Sequence, residues 1–226
     1  MAVPAPPRRR GVTGHRIVFV RHAESLANTI GSLDCSVPGP ELSPEGFRQA
    51  GALVTDLPED LEELPVRAIW ASTMIRAQQT AQPLAEHLGL PVRVHPLLHE
   101  GDVGDLHARV DDEAHQALED LFACWQMQGE LERGAPNGET GHQLLGRLRS
   151  SVADVLADLG SDEPGAAVVI SHGAILRLGL ARLCDGVTPA YTLAHHLPNT
   201  ARVVVDVLDP DDPPRLVCRS WAGMAR

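Results

Sequence analysis

The sequence has few aromatic side chains, few cysteines and no long apolar run. Only 3% of its 226 residues are aromatic, and its four cysteines lie far apart without a Cys-x-x-Cys pair. That spacing excludes a zinc knuckle and a thioredoxin-type motif. No stretch reaches the length of an apolar membrane span. Because aromatic residues are so few, the core must be built from alanine, valine, leucine and isoleucine.

Basic residues are scarce as well. The chain carries 19 basic side chains, all of them arginine, against 30 aspartates and glutamates, a formal net charge of -11. This balance argues against nucleic acid as a partner, because phosphate backbones require a basic footprint. We interpret residues 1–14 as a disordered tail rich in proline and arginine. No apolar segment follows the tail, so we predict a cytoplasmic protein without a membrane partner.

The length fits one domain, which we place at residues 15–226. Short β-branched runs alternate with amphipathic helical patterns along its first half. This alternation predicts an α/β fold, a three-layer α/β/α sandwich around a mostly parallel central sheet. The predicted strands are residues 16–20, 66–71, 92–95, 166–171, 202–207 and 215–221.

Two helices have clear boundaries in the sequence. The first has Ser43 as its cap and Pro44 as its first residue, and we expect it to end by Pro58. The second is predicted from near Thr73 to Gly89, which suits the position after a helix end. The other helical patterns are the amphipathic segments 111–131 and 140–159, and the predicted cap region of the domain covers about 101–140.

Two histidines follow predicted buried strands. His22 comes after residues 17–20 with Arg21 between them, and His172 comes after residues 168–171. A single histidine in this setting is more often structural than catalytic. Because strand ends of an α/β sheet meet at one edge, the repeated pattern favours one shared functional site.

These residue types suit phosphoryl transfer. An imidazole that attacks phosphorus must be neutral, and the phosphoryl group requires positive partners. His22 would attack, while Arg21 and Arg76 would hold the phosphate through their planar guanidinium groups. His172 would add a further donor, and Gly173 would allow the backbone to approach the phosphate at a helix start.

The reaction also needs a group that donates and accepts protons, usually a carboxylate. Glu100 is our candidate, because it follows the strand at 92–95 and precedes a glycine-rich turn. From the residues alone, Asp102 and Asp105 are equally acceptable.

Further motifs occur in order along residues 16 to 207. They are Arg21-His22-Ala23-Glu24-Ser25 with Asn28, Leu42-Ser43-Pro44-Glu45-Gly46 with Gln49-Ala50, Ser72 to Ala81, Leu98-His99-Glu100 with Gly104, Gly138-Glu139-Thr140, Ser171-His172-Gly173, and Asn199-Thr200. Together they resemble the histidine phosphatase superfamily, in its phosphoglycerate-mutase-like branch 1. An ordered set is far more specific than any one motif.

The resemblance implies a phosphatase that hydrolyses a small-molecule phosphomonoester through a phosphohistidine intermediate on His22. It implies that Glu100 exchanges protons with the leaving group and then with water. Neither a metal nor another cofactor is implied. The residues that would be catalytic are His22, Glu100, His172, Arg21 and Arg76, and those that would bind the substrate are Arg21, Asn28, Arg76, His172 and Gly173.

The chain departs from the family pattern at three places. Ala23 replaces the usual glycine after the histidine, which requires either a negative φ or space for a methyl group. The segment 28–42 does not match the mutases, so its substrate contacts are unassigned. The Tyr-Gly-rich stretch and the Trp-Arg-Arg insertion of the mutases are missing from 101–138. We therefore favour a phosphatase over a mutase.

Two other functions stay open: a phosphoglycerate mutase, and a non-catalytic protein that binds a phosphorylated ligand and has lost turnover through Ala23. The eleven histidines raise the question of a metal site, but none forms a His-x-x-x-His helix pair with a carboxylate, so we predict no metal. The sequence leaves the oligomeric state open, with a homodimer as one option.

Overall fold

The computed structural model describes residues 14–160, 163–210 and 213–225. The predicted tail lies outside this range except for Gly14. The strands are β1 (His15–Arg21), β2 (Val66–Ser72), β3 (Val92–His95), β4 (Ala166–Ser171), β5 (Cys184–Asp185), β6 (Arg202–Asp209), β7 (Arg215–Trp221) and β8 (Met224–Ala225). The helices are α1 (Leu26–Thr29), α2 (Pro44–Leu61), α3 (Ile75–Leu88), α4 (Asp112–Ala123), α5 (Gly141–Leu159), α6 (Gly173–Leu183) and α7 (Pro189–Ala194).

The strands form one sheet in the order β3-β2-β4-β1-β6-β7-β5, and β8 pairs with β7. The first four strands of this order are mutually parallel, whereas β6 runs antiparallel to β1 and to β7. Arg21 at the end of β1 is in register with Ser171 at the end of β4. The carboxyl ends of the parallel strands therefore meet at one edge, where α/β proteins place their ligands.

Alternate residues of the central strands face opposite layers of helices. Val18 and Val20 of β1 pack with buried residues of α2 and α3, whereas Ile17 and Phe19 pack with buried residues of α5 and α6. Side chains alternate between the two faces of a strand, so a fully apolar strand requires cover on both. The predicted three-layer fold is confirmed.

The helix boundaries differ from the predictions in two places. α2 does not end by Pro58 but continues to Leu61, where Glu62 takes a left-handed φ of 48°. Pro58 lies on the exposed face, while Leu57 and Leu61 are buried, so packing outweighs the one hydrogen bond that proline removes. The predicted helix 111–131 is α4 followed by a π-helical turn, Cys124–Gln128, which ends before Gly129 at φ 72°.

The helices also bear on the membrane question. In the described segments none has both the length and the apolar character of a membrane-spanning helix.

Gly46, in the first turn of α2, tolerates little change. A Cβ at this position would lie 1.9 Å from the carbonyl oxygen of Glu24, which is part of the backbone. We expect Gly46→Ala to lower the free energy of unfolding by about 1–3 kcal/mol, since that backbone must shift. Gly51 in the same helix is exposed, and a Cβ there would meet nothing within 4 Å.

Gly51→Ala is therefore the matched control, and we expect it to raise the free energy of unfolding by about 0.5–1 kcal/mol through helix propensity. Urea unfolding followed by circular dichroism measures both variants. Equal effects of the two substitutions would contradict the close approach between α2 and the segment that follows β1.

Candidate active site

The edge of the sheet brings together side chains from three strand ends. His22 follows β1, Ser72 ends β2, and His172 follows β4 as the N-cap of α6. Arg76 lies in the first turn of α3. The rings of His22 and His172 have centroids 5.0 Å apart, so the two strand-end histidines do share one site.

Hydrogen bonds fix the tautomer of His22. Its Nδ1 lies 2.7 Å from the carbonyl oxygen of Ala23, and a carbonyl only accepts, so Nδ1 carries the proton. On the other side of the ring, the Nε–H of Arg76 donates to Nε2 at 3.3 Å. The lone pair of the neutral imidazole is therefore on Nε2, beside a guanidinium group.

Arg76 is held by the loop before α2. It is 3% exposed, and its Nη1 lies 3.5 Å from the Asp34 carboxylate, while Nη2 donates to the Asp34 carbonyl oxygen at 3.1 Å. The guanidinium is thus buried, charge-compensated on one side and in contact with His22 on the other. The loop segment 28–42, which sequence reasoning left unassigned, supplies this compensation.

Arg21 approaches the site from the end of β1. Its Nη1 donates to the carbonyl oxygen of Leu197 at 2.6 Å, and within the described residues its buried Nε has no hydrogen-bond partner. A Cβ on Gly173 would lie 3.4 Å from that Nε, at ordinary van der Waals distance. The start of α6 therefore lies beside the guanidinium, and this approach does not itself require glycine.

Burial and the two arginines set the charge of the histidines. The pKa of His22 is well below its usual 6.5, first because the ring is buried and then because Arg76 and Arg21 repel a proton. The pKa of His172 is lowered in the same way, by burial, by His22 and by both arginines. Both rings are neutral at pH 7, so the positive charge of the site comes from the guanidinium groups.

Ser72 orients His172. Its Oγ lies 2.7 Å from Nε2 of His172 and accepts the backbone N–H of Met74 at 3.2 Å. In the described parts of the chain, no partner reaches the buried Nδ1 of His172. A second buried nitrogen, in addition to Nε of Arg21, thus lies in the site without a protein partner, and such groups indicate a ligand.

Glu100 lies at the start of α6. Its Oε1 accepts the N–H groups of Gly101 and Ile175 at 2.9 and 3.1 Å, and its Oε2 accepts that of Ala174 at 3.0 Å. Burial lowers the pKa of Arg21 and Arg76, and the negative charge of Glu100 raises both. The carboxylate therefore lies within electrostatic reach of both guanidinium groups.

The alternatives to Glu100 make different contacts. Asp102 accepts the N–H of Gly104, and Asp105 accepts the side chain of Asn137. Neither acts on Arg21 or Arg76 in the way that Glu100 does. The geometry favours Glu100 among the three candidates that the sequence left open.

Asn28 forms a capping box with Ser25 at the start of α1. Its Oδ1 accepts the Ser25 N–H at 3.1 Å and the amide of Asn199 at 3.2 Å, and the same Asn199 amide donates to the carbonyl oxygen of His22 at 2.9 Å. Asn28 therefore connects to the histidine through Asn199, while its structural role as a cap is evident.

Ala23 fits its position without strain. Six non-glycine residues of the described chain have a positive φ, and Ala23 is not among them. Its methyl group is buried against Leu42 and Ala50, and its N–H donates to Oγ1 of Thr80 at 2.9 Å. The glycine that the family places here is not required by this backbone.

Sequence reasoning gave no role to Asp34, Ser72, Thr80 or Asn199. Ser72 and Asn199 lie within the motifs, so their position next to a strand was the available signal. Asp34 had no signal, because its contact with Arg76 spans 42 residues of sequence. Over the residues with described structure, no three histidine, cysteine or acidic side chains are placed to hold a metal ion.

Comparisons with known proteins agree with this geometry. The sequence-family model of the histidine phosphatase superfamily (branch 1) matches residues 17–217 of the chain. The chain is 33% identical over 171 residues to a glucosyl-3-phosphoglycerate phosphatase of Mycobacterium tuberculosis, with 71% of each chain covered. The chain belongs to the histidine phosphatase superfamily, branch 1.

Two further comparisons extend this result. A mycobacterial glucosyl-3-phosphoglycerate phosphatase structure superposes on this histidine phosphatase with a TM-score of 0.74 and 25% identity, covering 92% of this chain and 98% of the other. The PE-PGRS family protein PE_PGRS11 of Mycobacterium tuberculosis is 29% identical over 95% of the chain, which spans 38% of that protein's length. The predicted family, fold and enzyme class, a phosphoric monoester hydrolase, are confirmed.

The lowered pKa values predict how stability depends on pH. The unfolded histidines protonate near pH 6.5, whereas folded His22 and His172 stay neutral to lower pH. Their contribution to stability is therefore complete above pH 6.5 and is lost as the pH falls towards the folded pKa. Each costs about 1.4 kcal/mol per pH unit in this window.

The free energy of unfolding falls as the pH is lowered. We expect His22→Asn and His172→Asn each to reduce this fall by about 1.4 kcal/mol per pH unit. Urea unfolding between pH 7.5 and 5 measures it. His142→Gln is the control, since this half-exposed histidine lies outside the site. If His22→Asn and His172→Asn keep the slope of the unmodified protein, neither ring is buried as a neutral group.

Proposed function

We propose that this histidine phosphatase hydrolyses small phosphomonoesters through a phosphohistidine on His22. The observation that carries the proposal is the neutral His22 ring, whose unprotonated Nε2 accepts the Nε–H of Arg76 at 3.3 Å. Nε2 attacks phosphorus, the bond from phosphorus to the ester oxygen breaks, and the alcohol leaves. Water then attacks the phosphohistidine and releases inorganic phosphate and the free imidazole.

The phosphate-binding groups are Arg21, Arg76 and His172. The buried Nε–H of Arg21 supports this assignment, as does the buried Nδ1 of His172, since neither atom has a hydrogen-bond partner among the described residues. Guanidinium groups shielded from solvent stabilise the charge on the equatorial phosphoryl oxygens more strongly than fully solvated ones would, because the effective dielectric around them is lower. Gly173 and Asn28 complete the proposed substrate contacts, with Asn28 acting beside Asn199.

Glu100 is the proposed proton carrier. Protonated, it gives its proton to the leaving oxygen; as a carboxylate, it accepts a proton from the attacking water. Its place between the start of α6 and the two arginines supports this role.

The proposed substrate is a small phosphorylated molecule, which agrees with the relative that is named a glucosyl-3-phosphoglycerate phosphatase. The acidic composition supports the absence of a nucleic-acid partner. The four free cysteines are compatible with the cytoplasm as the proposed compartment.

The direct test is to trap the intermediate. The protein is mixed with a phosphorylated substrate from a panel of aryl, sugar, glycerate and nucleotide monophosphates, and quenched in alkali, where phosphohistidine survives. Mass spectrometry of the peptides is expected to find phosphate on His22 together with release of inorganic phosphate. Phosphate release without a labelled His22 would contradict the mechanism.

The mutase alternative is decided on the same protein. A mutase keeps the phosphoenzyme away from water and returns the phosphoryl group to a phosphoglycerate. Interconversion of the two monophosphoglycerates faster than phosphate release would establish that activity. We expect phosphate release to dominate, because the mutase insertions are missing from 101–138.

A further inference from the structure

A second polar cavity adjoins the phosphate site. Its volume is about 440 Å³, within the range of small-molecule pockets. One wall begins at Cys35, next to the Asp34 that contacts Arg76, and another contains His99, next to Glu100. The cavity therefore starts one residue from Asp34, the partner of the proposed phosphate-binding Arg76, and one residue from Glu100, the proposed proton carrier.

The two imidazoles of this cavity offer one donor and one acceptor. Nδ1 of His107 accepts the N–H of Cys35 at 3.2 Å, so in the neutral ring Nε2 carries the proton. Nδ1 of His99 lies 2.8 Å from the carbonyl oxygen of Glu100 and donates to it, so its Nε2 is the acceptor. A hydroxyl group, which both donates and accepts, can pair with either ring.

The charge of the cavity is negative. Asp102 contributes a carboxylate, whose Oδ1 accepts the N–H of Gly104 at 2.9 Å. Burial, with help from Asp102 and Asp34, raises the pKa of the Cys35 thiol to about 11, so the thiol stays neutral and faces Asp102 as a weak donor. None of the eight described residues that line the cavity is lysine or arginine.

The nearby arginine is already engaged. Arg147 forms an ion pair with Glu139 at 2.7 Å and donates to the carbonyl oxygens of Leu97 and His99. It therefore does not offer the cavity a free positive charge. Arg76 lies within electrostatic reach of Cys35, but it is paired with Asp34 and assigned to the phosphate. A leaving group with a carboxylate would therefore meet Asp102 without a free cation to balance it.

We propose that this cavity holds the leaving group of the substrate and selects a neutral polyol over a carboxylate-bearing alcohol. The inference rests on the proposed phosphatase function and adds the substrate class to it. Hydroxyl groups pair with His99, His107 and Asp102, whereas a carboxylate is repelled by Asp102. Specificity of this kind arises from an unfavourable contact as much as from favourable ones.

The test uses two substrates of one skeleton, glycerol 3-phosphate and 3-phosphoglycerate, which differ in a hydroxymethyl group and a carboxylate. We expect kcat/KM to favour glycerol 3-phosphate by about tenfold or more. Asp102→Asn removes the charge but keeps the oxygen that accepts the Gly104 N–H. We expect this variant to narrow the preference by about fivefold to tenfold.

p-Nitrophenyl phosphate separates the two proposals, because it carries no hydroxyl to recognise. If Asp102→Asn hydrolyses it at the unmodified rate, the fold and the reaction are intact. Asp112→Asn is the control, because it removes the same charge at an exposed position in α4. We expect this variant to keep the preference for glycerol 3-phosphate.

Equal use of the two three-carbon substrates, or an unchanged preference in Asp102→Asn, overturns the polyol assignment while hydrolysis of the aryl phosphate continues. If the unmodified protein does not hydrolyse the aryl phosphate, that result would instead overturn the proposed phosphatase function.

Discussion

The variant His22→Ala is expected to lose at least about 10⁴-fold in kcat/KM for p-nitrophenyl phosphate. The substitution removes Nε2, whose lone pair accepts the Nε–H of Arg76. Arg21 and Arg76 remain to bind and polarise the phosphate, and Glu100 remains to carry the proton, but none of them replaces the nucleophile. The measurement is phosphate release under first-order conditions, with the protein in large excess over contaminating phosphatases.

Inorganic phosphate provides the accompanying binding measurement. We expect His22→Ala to keep phosphate binding, detected by calorimetry, because the two buried guanidinium groups are unchanged. His142→Ala, which removes a half-exposed histidine away from the site, is the control and should retain full activity. Turnover that survives in His22→Ala would exclude His22 as the nucleophile.

The result also decides the non-catalytic alternative. If the unmodified protein binds phosphate but releases none from any substrate of the panel, the chain is a phospholigand-binding protein. The structure removes the reason for that alternative, since Ala23 is accommodated at a backbone position that does not require glycine.

The central strands and the two histidines are readable from sequence for a physical reason. Strands covered on both faces must be apolar at every position, so β1 and β4 stand out as uninterrupted runs. The side chain that follows such a run lies at the ligand-binding edge. The sequence alone therefore predicts that His22 and His172 lie together.

Other features depend on contacts that no local pattern records. α2 passes Pro58 because Leu57 and Leu61 are buried, which is a tertiary effect that overrides the local signal. The strands β5 and β8 have two residues each and carry no periodicity. The ion pair between Asp34 and Arg76 joins segments whose proximity follows only from the completed fold.

Arg76→Ala has the second-largest expected effect, a loss of about 10³-fold in kcat/KM. Arg76 contacts His22 and lies at the proposed phosphate position. Its removal therefore takes away a positive charge at the place where negative charge builds up in the transition state. Arg76→Lys keeps the charge but not the planar fork, and we expect it to recover only part of the loss. The same aryl phosphate assay measures both variants.

The partner of Arg76 makes this test specific. Arg76→Ala leaves the largely buried Asp34 carboxylate without its cation. Part of any loss of activity could then come from a shift of the loop that carries Asp34 rather than from the lost contact with the phosphate. Asp34→Asn breaks the same ion pair from the other side and leaves the guanidinium in place. We expect Asp34→Asn to retain activity within about threefold, since the positive charge that Arg76 directs at the phosphate is unchanged. If Asp34→Asn loses as much activity as Arg76→Ala, the ion pair positions the loop and the arginine does not act on the phosphate directly. If only the arginine variants lose activity, the guanidinium itself stabilises the transferring phosphoryl group.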